Sequence, residues 1–185
     1  SICVHLWFQL LLLGSTGIES HAAVNPQAAA DKRLNRSAQS GPWSAAATWE
    51  EGKVPGAGAR VQIRERHVVV YDVKSEQPIR LVHVAGTLTF ARDKDTRLDV
   101  GLIKIEPGHD ASEDGFDCDA HLPDGPADGS RPALEVGTQD RPIEANRTAI
   151  IRLIDCDGVD KNSWPAIVSC GGRMDFHGAP LNRTW

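Results

Sequence analysis

Carboxylates and imidazoles crowd one stretch of this chain. Asp110, Glu113, Asp114, Asp117 and Asp119 follow one another closely, with His109 and His121 at the flanks and Gly115 inside. Clustered carboxylates in a glycine-containing loop can wrap a hard cation such as calcium through oxygen ligands. The candidate ligands are Asp110, Asp114, Asp117, Asp119 and His121. The spacing is not that of the helix–loop–helix calcium motif, because Gly115 is out of place and no Glu stands at the closing position. The same run also reads as an acidic loop left in solvent, the ordinary fate of a charge run. Zinc would have only Cys118 and His121 with their neighbouring aspartates, and no Cys-x-x-Cys pair occurs.

A second acidic spot is Asp155-Cys156-Asp157-Gly158. Two carboxylates at a strand end, Asp155 and Asp157, can serve as general acid and base on a glycosidic bond. Their separation decides that chemistry, and sequence does not give it. Asp-Gly is equally a turn signal. Trp164 lies between Asn162-Ser163 and Pro165, which reads as a loop, and an exposed indole there can stack on a sugar ring. His67, His83 and His177 fall at strand edges, where a lone histidine usually faces outward. No Gly-x-Ser-x-Gly, phosphate-binding loop or dinucleotide fingerprint is present, so esterase, nucleotidase and dehydrogenase chemistries lack support.

The elements that must hold these residues are short and β-like. Val61 to Ile63, His67 to Tyr71, Ile79 to Val84, Thr87 to Phe90, Arg97 to Val100, Leu102 to Ile105, Ala133 to Val136, Ala149 to Ile154 and Arg173 to Phe176 are alternating or β-branched runs. Gly, Pro or Asp ends them, as at strand ends. No window of helical length carries a 3.6-residue period. Leu98-Asp99-Val100-Gly101 recurs as Leu134-Glu135-Val136-Gly137, and Val82-His83-Val84-Ala85-Gly86 resembles Met174-Asp175-Phe176-His177-Gly178. Stacked short strands with glycine corners predict an all-β fold, the start of a right-handed parallel β-helix of pectate-lyase-like type. A long inserted loop interrupts it over 106–131. An antiparallel β-sandwich is the alternative.

The chain has 185 residues, 41% hydrophobic and 24% charged, with net charge −5. That composition is globular and offers no basic surplus for nucleic acid. The apolar run Leu6 to Leu13 is shorter than the ~20 residues a membrane span needs. Ser20-His21-Ala22 fits a small-x-small cleavage site, so residues 1–22 read as a secretory signal peptide. Residues 23–40 read as a flexible linker. Secretion permits disulfides. Cys3 would leave with the signal, and Cys118, Cys156 and Cys170 allow at most one internal bridge, whose pairing stays open. Asn35-Arg36-Ser37, Asn146-Arg147-Thr148 and Asn182-Arg183-Thr184 match the N-glycosylation acceptor pattern.

The segment from Gly41 to Gly58 combines Trp43 and Trp49 with Gly52, Pro55, Gly56 and Gly58. It is too punctuated for a helix and reads as a cap over the first β layer. Trp43-Ser44, Thr48-Trp49 and Gly52-Lys53-Val54-Pro55-Gly56-Ala57-Gly58 resemble the opening of the G-eight domain. Val84 to Phe90, Leu134 to Thr138, Ala149 to Leu153 and Gly171 to Gly178 resemble its later strands and closing signature. The resemblance spans 41–178. It implies a secreted or cell-surface protein bearing a module that faces extracellular polysaccharide. In that family the module opens large β-helical proteins, among them hyaluronan-depolymerising cell-surface proteins, fibrocystin-like receptors and secreted bacterial proteins. The implied partners are polysaccharide and a downstream β-helix of the same protein, with 179–185 as the start of a further β segment. A structural or adhesion module that caps such a helix and contacts proteins is the other functional reading.

Overall fold

The computed structural model describes residues 34–109, 111–113 and 131–180. The signal peptide expected over 1–22 and most of the acidic insertion lie outside the described residues. The described residues form eleven strands: β1 (Leu34–Arg36), β2 (Gly41–Pro42), β3 (Arg60–Ile63), β4 (Val68–Tyr71), β5 (Ile79–Val84), β6 (Thr87–Phe90), β7 (Thr96–Ile105), β8 (Ala133–Val136), β9 (Ala149–Leu153), β10 (Ala166–Ser169) and β11 (Arg173–Phe176). The all-β expectation holds. Short 3-10 turns over Ala46–Thr48 and Glu50–Gly52 supply the helical structure among the described residues.

Two sheets form. One runs β1-β3-β5-β7-β10 with β9 also on β7, and the other runs β11-β8-β6-β4-β2. From β1 to β8 the chain alternates between them, strand by strand. Every ladder between named strands is parallel. This corrects the antiparallel sandwich alternative. Successive strands leave for the opposite sheet instead of turning back on themselves, so like directions stack. An isolated bridge between Ser37 and Trp49 is antiparallel.

Register explains why these residues fill the core. In the first sheet Val61 pairs with Val82 and Val82 with Ile103. In the second, Val69 pairs with Leu88 and Leu88 with Leu134. All six have no exposed surface, and both sets belong to one apolar cluster between the sheets. The period of two puts the intervening residues on the outer faces. The repeats seen in sequence link opposite sheets: Leu98 lies in the first and Leu134 in the second. Both sheets demand the same in-out-in pattern and a tight corner, so similarity of pattern does not mark stacking partners.

Two departures from the expected strands have local causes. Residues 34–36, expected within the linker, form β1 because they pair with Arg60 to Gln62 and Ser37 then anchors the turn. The Ser37 hydroxyl shares a 2.8 Å hydrogen bond with His67 Nδ1 and accepts the Arg64 N–H at 2.9 Å. The runs either side of Gly101 form one strand, β7. Its neighbour β5 carries a bulge there, since the N–H groups of Arg80 and Leu81 both donate to the Ala59 carbonyl, at 2.9 and 3.4 Å. The next layer divides at the same point into β9 and β10, and residues 154–165 loop outward between them.

Candidate functional site

The proposed calcium ligands Asp110, Asp114, Asp117, Asp119 and His121 lie outside the described residues. Among the described residues no group of three or more His, Cys, Asp or Glu is placed to hold a metal ion. The beginning of the insertion is described, and it lies across the outer face of the first sheet. Gln62 Nε2 donates to the His109 carbonyl at 2.8 Å, and Lys104 Nζ meets Glu106 at 2.9 Å. Glu113 accepts two 2.8 Å bonds from Arg80 and faces Arg60 Nε at 3.2 Å. Such a two-pronged guanidinium–carboxylate pair fixes orientation as well as charge. The Glu113 hydrogen bond holds the Arg80 pKa above its usual value.

Beneath this strap runs an in-register polar row, Arg36, Gln62, His83 and Lys104. His83 faces the outer side of the sheet, yet the strap covers it and it has no exposed surface. Its Nδ1 lies 3.2 Å from Gln62 Nε2, and its Nε2 lies 3.7 Å from Glu106. Gln62, His83 and Lys104 of the row are buried, and the contacts from Gln62 to His109 and from Lys104 to Glu106 offset the cost of burying polar groups.

The 154–165 loop covers the adjacent outer row. Trp164 corrects the expectation of an exposed sugar platform. It is 5% exposed and packs on Leu81 and Leu102, apolar side chains that face away from the main core and need a cover. Its indole N–H donates to the Glu113 carbonyl at 3.4 Å, and the Arg80 guanidinium sits 5.5 Å from its ring centre. Asp155 and Asp157 are exposed on either side of half-buried Cys156. Gly158 follows with φ 73°, so the segment makes the turn that Asp-Gly favours. The Asp157 carbonyl accepts from Arg80 at 2.8 Å. Burial raises the Cys156 thiol pKa, which favours the protonated thiol near neutral pH. The Asn162 backbone N–H lowers the pKa of exposed Asp160 and closes the last turn before Trp164.

Sequence reasoning missed a groove on the outer face of the second sheet, with a volume of about 460 Å³. Val68, Val70 and Thr89 floor it, and Arg92, Asp93, Glu135, Arg141 and Glu144 bring charge to its walls. One wall is braced by Arg92 Nε donating to the Pro142 carbonyl at 3.0 Å. On the next strand Arg173 bridges Glu135, at 2.6 Å, and Asp175. The arrangement brings hydrogen-bonding groups of both charges to one groove. Alternation within β4, β6 and β8 was the available signal, since it sends Val68, Thr89 and Glu135 outward.

The two ends of the stacked sheets differ. At the β1–β2 end Trp43 and Trp49 are each 2% exposed, ring centres 4.8 Å apart, and Trp49 Nε1 donates to the Trp43 carbonyl at 2.7 Å. The aromatic stack continues to Tyr71 and Phe90. At the β9–β10–β11 end the same columns surface. Leu134 is fully buried but its partner Met174 is 46% exposed; Val136 is 8% exposed but its partner Phe176 is 54% exposed. Ile150 and Leu153 of β9 are exposed as well. Among the described residues no strand pairs with the far edges of β9, β10 or β11.

No helix among the described residues is long and apolar enough to cross a membrane. A family model described as the G8 domain matches residues 48–185. No curated protein and no solved structure matches the chain.

Proposed function

The chain belongs to the G8 domain family, and from that premise we propose that it is a structural end-capping module of a right-handed parallel β-helix, with an open face that seats the next coil. The observation that carries this is the exposure series along the internal columns. Val69, Leu88, Leu134 and Met174 stack layer upon layer and are 0%, 0%, 0% and 46% exposed. Each apolar side chain is covered by the one above it until the last layer. Alternation between two parallel sheets is what a coiled chain produces, and parallel crossovers are nearly always right-handed. Terminal units of stacked folds carry a finished face and an unfinished one. An open parallel edge with exposed Met and Phe is otherwise an aggregation hazard. Covering side chains such as Leu153, Met174 and Phe176 contributes about 2 kcal/mol each. The test is to append, through a flexible linker, a copy of the coil from Ile79 to Val100 and compare urea unfolding with and without Phe176→Ser. A large stability gain that Phe176→Ser abolishes supports seating. An unchanged midpoint contradicts it.

The groove favours a second role for the same module, the binding of extracellular polysaccharide. Arg92 and Arg141 suit the carboxylates of an anionic sugar, and Asp93, Glu135 and Glu144 suit hydroxyl donors. On this reading the protein acts at the cell surface or as a secreted molecule. Titration with anionic and neutral polysaccharides, in calcium and in chelator, tests it. Binding that Arg141→Ala weakens at least tenfold supports the groove. Binding indifferent to that change removes it, and calcium-dependent binding would turn attention to the 106–131 insertion.

A further inference from the structure

Two of the three glycosylation patterns fall on described residues, and the structure treats them differently. Asn146 is exposed, as are Ala145, Arg147 and Thr148 around it. It sits in a tight turn closed by the Arg147 N–H to the Glu144 carbonyl at 2.9 Å. Thr148 is tied through its backbone, its N–H donating to Asp95 at 3.1 Å and its carbonyl accepting from Thr96 at 2.9 Å. The Asn146 side chain enters no hydrogen bond described for this turn, so a substituent on its nitrogen displaces nothing.

Asn35 lies inside β1, paired with Val61. Its side-chain amide donates to the Lys53 carbonyl at 3.4 Å. The third residue of its pattern, Ser37, is fully buried, with its hydroxyl engaged by His67 and by the Arg64 backbone. A sugar on the Asn35 nitrogen would displace that hydrogen bond to Lys53. Asn182 lies outside the described residues.

We propose that Asn146 is an N-linked oligosaccharide attachment site and that Asn35 is not. This rests on the reading that the chain enters the secretory route. In the reaction the Asn146 amide nitrogen attacks the anomeric carbon of a polyisoprenyl-diphosphate-linked oligosaccharide. The C–N bond forms as the C–O bond to the diphosphate breaks. The lipid diphosphate leaves with that electron pair, and the amide proton passes to a base of the transferase. The sugar then projects from the turn that follows Glu144, beside the groove wall.

The test expresses the full chain behind a cleavable secretory leader in glycosylating cells, so that entry into the route does not depend on the native N-terminus. Enzymatic release of glycans converts each occupied Asn to Asp, and peptide mass mapping reads each position. The expected result is high occupancy at Asn146, lost in both Asn146→Gln and Thr148→Ala, with Asn35 unmodified in the secreted protein. Secreted, folded chain bearing no sugar on Asn146, or sugar on Asn35 at comparable occupancy, overturns the assignment. A parallel expression without the added leader judges the route separately. If only the leader-bearing chain is exported and glycosylated, residues 1–22 do not act as a signal peptide, and the acceptor competence of Asn146 stands apart from the route.

Discussion

The two ends of this molecule are built from the same strands and finished differently. At one end the 41–53 segment folds back and lays Trp43 and Trp49 over the first layer. At the other, Met174 and Phe176 occupy the columns below Leu134 and Val136 and nothing described covers them. A parallel stack makes no end of its own, because every layer presents the same apolar columns to the next. An end therefore has to be built from side chains outside the repeat, and among the described residues such a cover is seen at the Trp43–Trp49 end.

That contrast can be broken by substitution. Trp49→Ala removes one of the two tryptophans of the closed end and one buried indole hydrogen bond, and should cost on the order of 3–5 kcal/mol in urea unfolding. A loss below about 1 kcal/mol would mean that the cap is an ornament on a stack stable without it. Gly101→Val should cost on the order of 1–3 kcal/mol. Even a Cβ at Gly101 would lie 2.6 Å from both Cys156 Sγ and Trp164 and 2.8 Å from the Arg80 carbonyl. Thermal unfolding reads that loss, and it would show the outer cover to be tightly seated against Gly101 of β7.

The closed end also sets a pH dependence. Burial, then the charges of Asp99 and Asp72, raise the Tyr71 phenol pKa well above its ordinary value. The unfolded phenol ionises near 10. Stability from neutral, buried Tyr71 is therefore fully present below about pH 10 and is lost as pH rises above it, because the unfolded state then binds fewer protons. Unfolding followed from pH 8 to 11 should show that fall, and Tyr71→Phe should flatten it. The smallest effect belongs to the open end. Phe176→Ser in the chain alone should change stability by no more than about 0.5 kcal/mol, as for an exposed position. A loss rivalling that of Trp49→Ala would erase the comparison.

Much of the architecture was legible because a period of two and glycine corners leave a plain mark. The strands around Val61, Val69, Val82, Leu88 and Leu134 were readable as alternating runs, and the two tryptophans as a cap. Strand β10 was not: Ala166 to Ser169 follows Trp164-Pro165 and looks like loop until its pairing with Leu102 to Ile105 is seen. The site was harder. Outer-face residues owe their neighbours to stacking between layers distant in sequence, so Glu135 beside Arg173 or Glu113 beside Arg80 leaves no local trace. Trp164 shows the same limit. Its loop setting was right, but Leu81 and Leu102, remote in sequence, decide that it is covered.

Amide hydrogen exchange on the chain alone tests the central contrast most directly. The account predicts that peptides containing β3 and β4 exchange only through global unfolding, while those containing β9 and β11 exchange faster through local opening. Equal protection at both ends, or slower exchange at β11 than at β4, would contradict it and mean that the β11 end is already closed.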